Sequence, residues 1–273
     1  MVYRLQKLPT PQGVGAGQTA TVKIPLGPTY NAFYLELRSG AGATPLSTAN
    51  IDAGISEIRL IVDGDVKIQG SAAYFRRRAL FYGVPAVTGC LPIMLSSPWA
   101  RTRAGEDSTS YGTAGGTVAT FTLEVDFTAT LVTPTMQVFS RQSDPKPFGT
   151  HLRIQRYADN FGFIAEHEIA GIPALGPYRL LGMDIDSDTV GNVEVLSNNV
   201  RQYISTPMIR EQQLLISARV PQAGYTHLDF AGEQRMDETM PLALSDFRVK
   251  VDFTTAPNAF SIYVATIQDD NIR

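Results

Sequence analysis

The sequence predicts an all-β chain made of two similar β-sandwiches in tandem, and three observations lead there. Short stretches of period-two alternation, broken by turn residues, run along all 273 residues, with Gly 23, Pro 17 and no strand–helix–strand rhythm. Ile24-Pro-Leu-Gly-Pro-Thr-Tyr30 returns as Ile172-Pro-Ala-Leu-Gly-Pro-Tyr178, at an offset of 172 − 24 = 148. Phe121-Thr-Leu-Glu-Val-Asp-Phe-Thr128 returns as Phe247-Arg-Val-Lys-Val-Asp-Phe-Thr254, at an offset of 247 − 121 = 126. Between these seeds, Tyr30-x-x-Phe-x-Leu-x-Leu37 is echoed by Tyr178-x-x-Leu-x-Met-x-Ile185. Several matches in one order mark an internal repeat.

The first copy reads as follows. Residues 1–20 form a leader with Arg4, Lys7 and then Gly13, Gly15 and Gly17; it is either a frayed terminus or an arm that packs on a neighbouring subunit or on a surface beneath it. Thr21 to Leu26 alternates, and Pro25 within it points to a strand end or an edge. Gly27-Pro28 turns the chain into a strand with Phe33, Leu35 and Leu37 on one face. Residues 39–54 are Gly-, Ala-, Ser- and Thr-rich and are expected to be a loop. Ile55 to Val62 and Val66 to Ile68 make a hairpin around Asp63-Gly64. Ser71 caps a short helix whose stripe is Ala72, Phe75, Ala79 and Tyr82. Val84 to Leu95 reads as a buried strand bent at Pro85, Gly89 and Pro92. Residues 97–116 read as a long exposed loop holding Trp99, and Thr117 to Thr128 is the clearest strand. Leu131 to Phe139 closes the copy, and Gln142-Ser-Asp-Pro-Lys-Pro147 is a linker by composition. The expected domains are 1–142 and 143–273.

The second copy begins near Phe148 and passes through His151 to Arg156, the Ile172 seed, and Leu181, Met183 and Ile185. Val193 and Val195 pair with Ile58 and Leu60 at an offset of 193 − 58 = 135, with Asn198-Asn199 as the turn. Thr206-Pro207 starts the matching helix. Leu214 to Ile216, Thr226 to Phe230, Phe247 to Phe253 and Phe260 to Thr266 supply the remaining strands. The falling offsets give copy one 148 − 135 = 13 extra residues before Ile58 and 135 − 126 = 9 more before Phe121. About eight strands and one helix per copy fit an eight-stranded jelly roll, so the chain is expected to be a double jelly roll.

Composition narrows function. Charged residues are 18%, below the usual quarter or so. The net charge of −3 offers no field for holding a polyanion. The single Cys90 excludes an intrachain disulfide and a structural zinc cluster, and reads as a small core hydrophobe. Neither an export signal nor a membrane-spanning run is read in the chain.

The order Leu8-Pro…Gly17-Gln18-Thr…Ile24-Pro-Leu-Gly-Pro-Thr-Tyr30, then Ile58-Arg-Leu-Ile-Val-Asp-Gly64, resembles the opening of the major capsid proteins of corticovirus-like, tailless bacterial viruses. Leu244-Ser-Asp-Phe-Arg-Val-Lys-Val-Asp252 and Ile262-Tyr-Val264 resemble their close. The resemblance implies a structural protein, not an enzyme. It implies a homotrimer whose six jelly rolls form a pseudo-hexagonal tile in an icosahedral shell around an internal membrane. The implied partners are neighbouring trimers, a vertex penton and membrane-associated virion proteins, with no direct nucleic acid. The implied place is the virion, after assembly in the host cytoplasm, with the 39–54 and 97–116 loops on the outer face. A second reading, a spike or tandem β-sandwich that binds a glycan or receptor, would use Trp99 and Tyr111 as exposed aromatics.

Chemistry is sparse. His151, His167 and His227 stand at no metal-ligand spacing, and neither a Gly-x-Ser-x-Gly elbow nor a P-loop is present. Glu166-His167-Glu168 on a strand would turn the imidazole away from both carboxylates. Arg76, Arg77 and Arg78 are read either as an anion site or as a solvated or subunit-facing helix surface. Alternation places Asp184, Asp186 and Asp188 on the face opposite Met183 and Ile185, so they form a candidate calcium site or a solvated strand face beside a turn.

Overall fold

The computed structural model describes residues 3–40, 42–100, 103–169, 172, 175–232, 235, 238–256 and 259–269. Met1 and Val2 of the leader, and Pro173 and Ala174 of the second seed, lie outside the described residues. The chain forms two compact units, with the division between Leu152 and Arg153. The expected division after residue 142 would cut the last strand of the first unit.

The first unit contains β1 (Arg4–Lys7), β2 (Thr19–Lys23), β3 (Thr29–Ser39), β4 (Thr44–Pro45), α1 (Thr48–Gly54), β5 (Ile55–Val62), β6 (Asp65–Gly70) and α2 (Ala72–Phe81). It continues with β7 (Cys90–Met94), α3 (Arg103–Asp107), β8 (Tyr111–Gly112), β9 (Phe121–Phe127) and β10 (Thr135–Ser143). One sheet runs β1-β10-β3, with β7, β4 and β8 also on β3; the other runs β6-β5-β9-β2. Alternation sets which side is buried. In β9, Phe121, Leu123, Val125 and Phe127 are buried while the residues between them are half-buried. Each such side chain contributes roughly 1.5–3 kcal/mol by leaving water.

The second unit takes most of β11 (Thr150–Asp159), then β12 (Glu166–Ile169), β13 (Arg179–Ile185), β14 (Val190–Ser197), β15 (Val200–Ser205) and α4 (Pro207–Ile216). It ends with β16 (Thr226–Asp229), β17 (Met240–Pro241), β18 (Phe247–Phe253) and β19 (Phe260–Asp269). Its sheets run β11-β19-β13-β16, with β17 also on β13, and β15-β14-β18-β12. Apart from β4, which has no counterpart, this is strand for strand the order of the first unit. The chain is a double jelly roll.

The repeat extends to single hydrogen bonds. In the first hairpin Asp63 and Gly64 have φ of 50° and 83°; in the second Asn198 and Asn199 have 49° and 63°. Positive φ at both central residues is what a two-residue hairpin with a type I′ turn requires. Asp63 Oδ1 accepts from the backbone N–H groups of Ala119 (2.8 Å) and Thr120 (2.7 Å). Asn198 Oδ1 accepts from the equivalent groups of Ser245 (3.0 Å) and Asp246 (3.2 Å). Ser71 caps α2 by accepting from Tyr74 N, and Thr206 caps α4 by accepting from Ile209 N.

Several local expectations are corrected. Residues 4–7 are neither frayed nor free, because β1 pairs with β10 throughout. Tyr3 adds an anchor: its hydroxyl donates to Glu106 Oε1 at 2.7 Å and the Arg141 guanidinium lies over its ring at 3.6 Å. The 39–54 loop contains α1, started by a Ser47 cap. Of the stretch 84–95 only Cys90–Met94 is a strand, and Val87 is exposed. The 97–116 loop contains α3 and β8, and Gln142 and Ser143 of the expected linker complete β10. Leu214 to Ile216 belong to α4, because the cap at Thr206 sets the backbone and the apolar triplet follows it.

Gly112 is the tightest point of that corrected region. A methyl group there would fall on the backbone carbonyl oxygens of Lys146 and Pro147. Gly112→Ala is expected to destabilise the first unit by about 2–3 kcal/mol. The measurement is a lower denaturant midpoint at unchanged slope.

Candidate functional site

The three histidines are placed apart from one another's chemistry. His151 Nδ1 lies 2.8 Å from Gly149 O, and its ring stacks on Phe148 with centroids 4.6 Å apart. His167 points inward from β12 while Glu166 and Glu168 point out, as alternation requires. Its ring stacks on Phe161 at 4.0 Å. His227 accepts at Nε2 from the Gln222 N–H (3.3 Å), so its Nδ1 carries the proton that it donates to Asp184 Oδ1 at 2.7 Å.

That bond separates the three aspartates of the candidate calcium site. Asp184 is buried on β13 against His227, while Asp186 and Asp188 are exposed in the turn before β14. Among the described residues no three His, Cys, Asp or Glu side chains are placed to hold one metal ion. Alternation put Asp184 on the right side of β13, but both sides of this strand are covered. Asp184 therefore needs a hydrogen-bonding partner inside the protein, and His227, forty-three residues on in sequence, supplies it.

Two of the three arginines on α2, Arg76 and Arg78, are also taken up internally. Arg76 makes a two-pronged pair with Asp52 of α1, with Nε to Oδ1 at 2.9 Å. Arg78 is buried, with its guanidinium 5.1 Å from the centre of the Tyr82 ring. The aromatics of the 97–116 stretch are not free either. Tyr111 is buried and donates to Leu152 O. Trp99 stacks flat on Tyr82 with centroids 3.7 Å apart and 4° between planes. Neither is the exposed aromatic that a glycan-binding loop needs. Cys90 is half-buried on the wall of a groove, and burial, with Glu36 nearby, raises its thiol pKa.

Among the described residues two further features stand out, and both are surfaces. The first is α4. It aligns with α2 position for position at the offset 206 − 71 = 135, yet the two are buried differently. Tyr74 is 1% exposed and its counterpart Ile209 is 56%; Phe81 is 3% and its counterpart Ile216 is 71%. Met208 and Leu215 are 79% and 53% exposed. In the first unit α2 packs against α1, β5 and β7. The second unit has no counterpart of α1, since only residues 186–189 separate β13 from β14. Arg210 of α4 turns inward and donates to Val190 O (3.3 Å) and Gly191 O (3.1 Å), carbonyls at an irregularity in the β14–β18 ladder. Burial pushes its pKa down. Sequence periodicity could not find this surface, because the exposed positions are as apolar as core positions.

The second feature is a groove of about 570 Å³ on the first unit, lined by Leu5, Tyr34, Val87, Cys90 and Phe139 among others. Leu5 and Val87 are exposed on its rim. Among the described residues no helix is long and apolar enough to cross a membrane.

Comparison with known proteins gives a consistent answer. The model of the viral coat protein P2 N-terminal domain matches residues 5–143, and that of the viral coat protein P2 C-terminal domain matches residues 152–270. The major capsid protein P2 from bacteriophage PM2 is similar in structure at a TM-score of 0.87 and 17% identity, over 98% of each chain. The major capsid protein of Sulfolobus turreted icosahedral virus is similar at 0.67 and 11% identity, over 97% of each chain. The capsid of the virus PBCV-1 is similar at 0.64 and 10% identity, over 97% of this chain and 93% of that one. At these identities the structural likeness is one of fold. No curated protein matches.

Two outcomes test the placement of the acidic residues. Asp184→Ala leaves the His227 N–H without its acceptor and is expected to cost about 2 kcal/mol of stability, read by denaturant unfolding. Removing divalent cations with a chelator is expected to leave the melting temperature unchanged.

Proposed function

The chain belongs to the viral coat protein P2 family, and from that premise we propose that three copies assemble into one tile of an icosahedral shell around an internal membrane. Family membership makes it a structural protein of the virion shell and not an enzyme. The observation that carries the finer reading is the duplication. Two jelly rolls of one strand order in each chain give six in a trimer, so a three-fold object presents six similar walls to its neighbours. A single roll would need six separate chains for the same outline.

The proposed partners follow from that geometry. They are the other copies within a tile, adjacent tiles, a vertex protein where the lattice has five-fold symmetry, and proteins of the enclosed membrane. Nucleic acid is not among them, since a net charge of −3 offers no counterion release. A receptor-binding role has no support from Trp99 or Tyr111, both of which are engaged within the first unit.

Two measurements test the proposal. Light scattering of the purified chain is expected to give three chain masses at micromolar concentration; a monomer under all conditions overturns it. In the native particle, quantitative protein staining is expected to show this chain as the most abundant, in numbers that tile the shell. A few copies confined to vertices would instead make it a spike.

A further inference from the structure

We infer that the bare face of α4 is the contact through which one copy of this chain grips the next, and that it seats in the apolar groove of the neighbour's first unit. The inference rests on the trimer reading above and adds the two surfaces that would make the joint.

The first argument is the comparison of the helices. Copy one carries two insertions, and both dress its helix: α1 pairs with α2 through Asp52 and Arg76, and Trp99 stacks on Tyr82 just past the helix end. Copy two lacks both insertions, yet α4 keeps large apolar residues at the outward positions. Met208 and Leu215, and likewise Ile209 and Ile216, are seven residues apart, which makes a stripe along the helix. Ile204 on β15 continues it, sharing a groove with Ile209.

The second argument is area. Ile204, Met208, Ile209, Leu215 and Ile216 are each more than half exposed. Together they present roughly 600 Å² of apolar surface, the upper end of what a monomer tolerates. It is most of the ~800 Å² that one partner brings to a standard interface.

The third argument selects the occupant. The groove beside this stripe is lined by Glu166, Glu194 and Asp252 against Arg201 and Lys250, and Glu211 on α4 is exposed. Acidic groups outnumber basic ones, which disfavours an anionic lipid surface, where basic residues are expected to flank the apolar face. A closed three-fold ring requires a head-to-tail joint, in which the two contacting patches differ. The groove walled by Leu5, Tyr34, Val87 and Phe139 is apolar, concave and on the other unit, the shape that receives an amphipathic helix.

The test uses the full chain. Ile209→Asp with Ile216→Asp is expected to weaken self-association at least 100-fold and give monomers by light scattering, with the wild-type circular dichroism retained. Leu5→Asp with Val87→Asp is expected to do the same from the other side. Mixing the two monomeric variants leaves one intact joint per pair and is expected to give a dimer and nothing larger. If either aspartate pair fails to fold, glutamine at the same positions replaces it. A wild-type trimer that survives the α4 substitutions overturns this inference and leaves the trimer reading standing. A wild-type monomer overturns the trimer reading itself. Monomeric variants that do not pair on mixing overturn the joint. Flotation of the wild type with phosphatidylglycerol vesicles, lost in the α4 variant, would make the face a lipid contact and overturn it too.

Discussion

A slip of one residue between β9 and β5 would turn Leu123, Val125 and Phe127 to water and bring Thr122, Glu124 and Asp126 into the core. The register that prevents it, Leu123 opposite Leu60 and Val125 opposite Ile58, recurs as Val249 opposite Val195 and Val251 opposite Val193. Side chains on a strand alternate with a period of two, so register and burial are one constraint. On the outward face of the first pair Arg59 bonds Glu124 and Asp126, which reinforces the same alignment with charge-assisted hydrogen bonds. The hairpin tips fix it at the far end, where Asp63 and Asn198 each hold two backbone N–H groups of the neighbouring strand's approach.

Much of this was legible because it repeats. Strand order, both hairpins and both helix starts follow from alternation, turn residues and caps, and the offsets of 148, 135 and 126 located the insertions. The contents of those insertions were not legible. Residues 48–54 read Thr-Ala-Asn-Ile-Asp-Ala-Gly, too short and too polar for a helical stripe, and α1 depends on its Ser47 cap and on contact with α2. Tyr111 sits in a polar, Gly-rich stretch, so nothing local marks it as buried; its place comes from the rings of Phe121, ten residues on, and Phe148, thirty-seven residues on. The leader looked unanchored because its partners, β10 and Glu106, lie about a hundred residues or more away.

At the candidate sites one thing was not legible. Sequence spacing can place side chains on a face, but it does not say whether the face opposite is wet. Asp184 alternates correctly and is nonetheless inside, paired with His227. The arginine triplet lies on a helix that is covered, and α4, whose sequence looks like an ordinary core helix, is the one left bare. For a coat protein this is where function is expected to sit: in which equivalent surfaces are filled from within and which are left for a neighbour.

From Ile55 to Phe81, and from Val190 to Ile216, the two copies keep step without a single insertion or deletion. Strand, hairpin, strand, cap and helix thus form one run of fixed length in both copies, which differ in length only before it and after it. A duplicated fold of this kind takes up changes of length at those two junctions, while the run between them keeps its spacing in both halves.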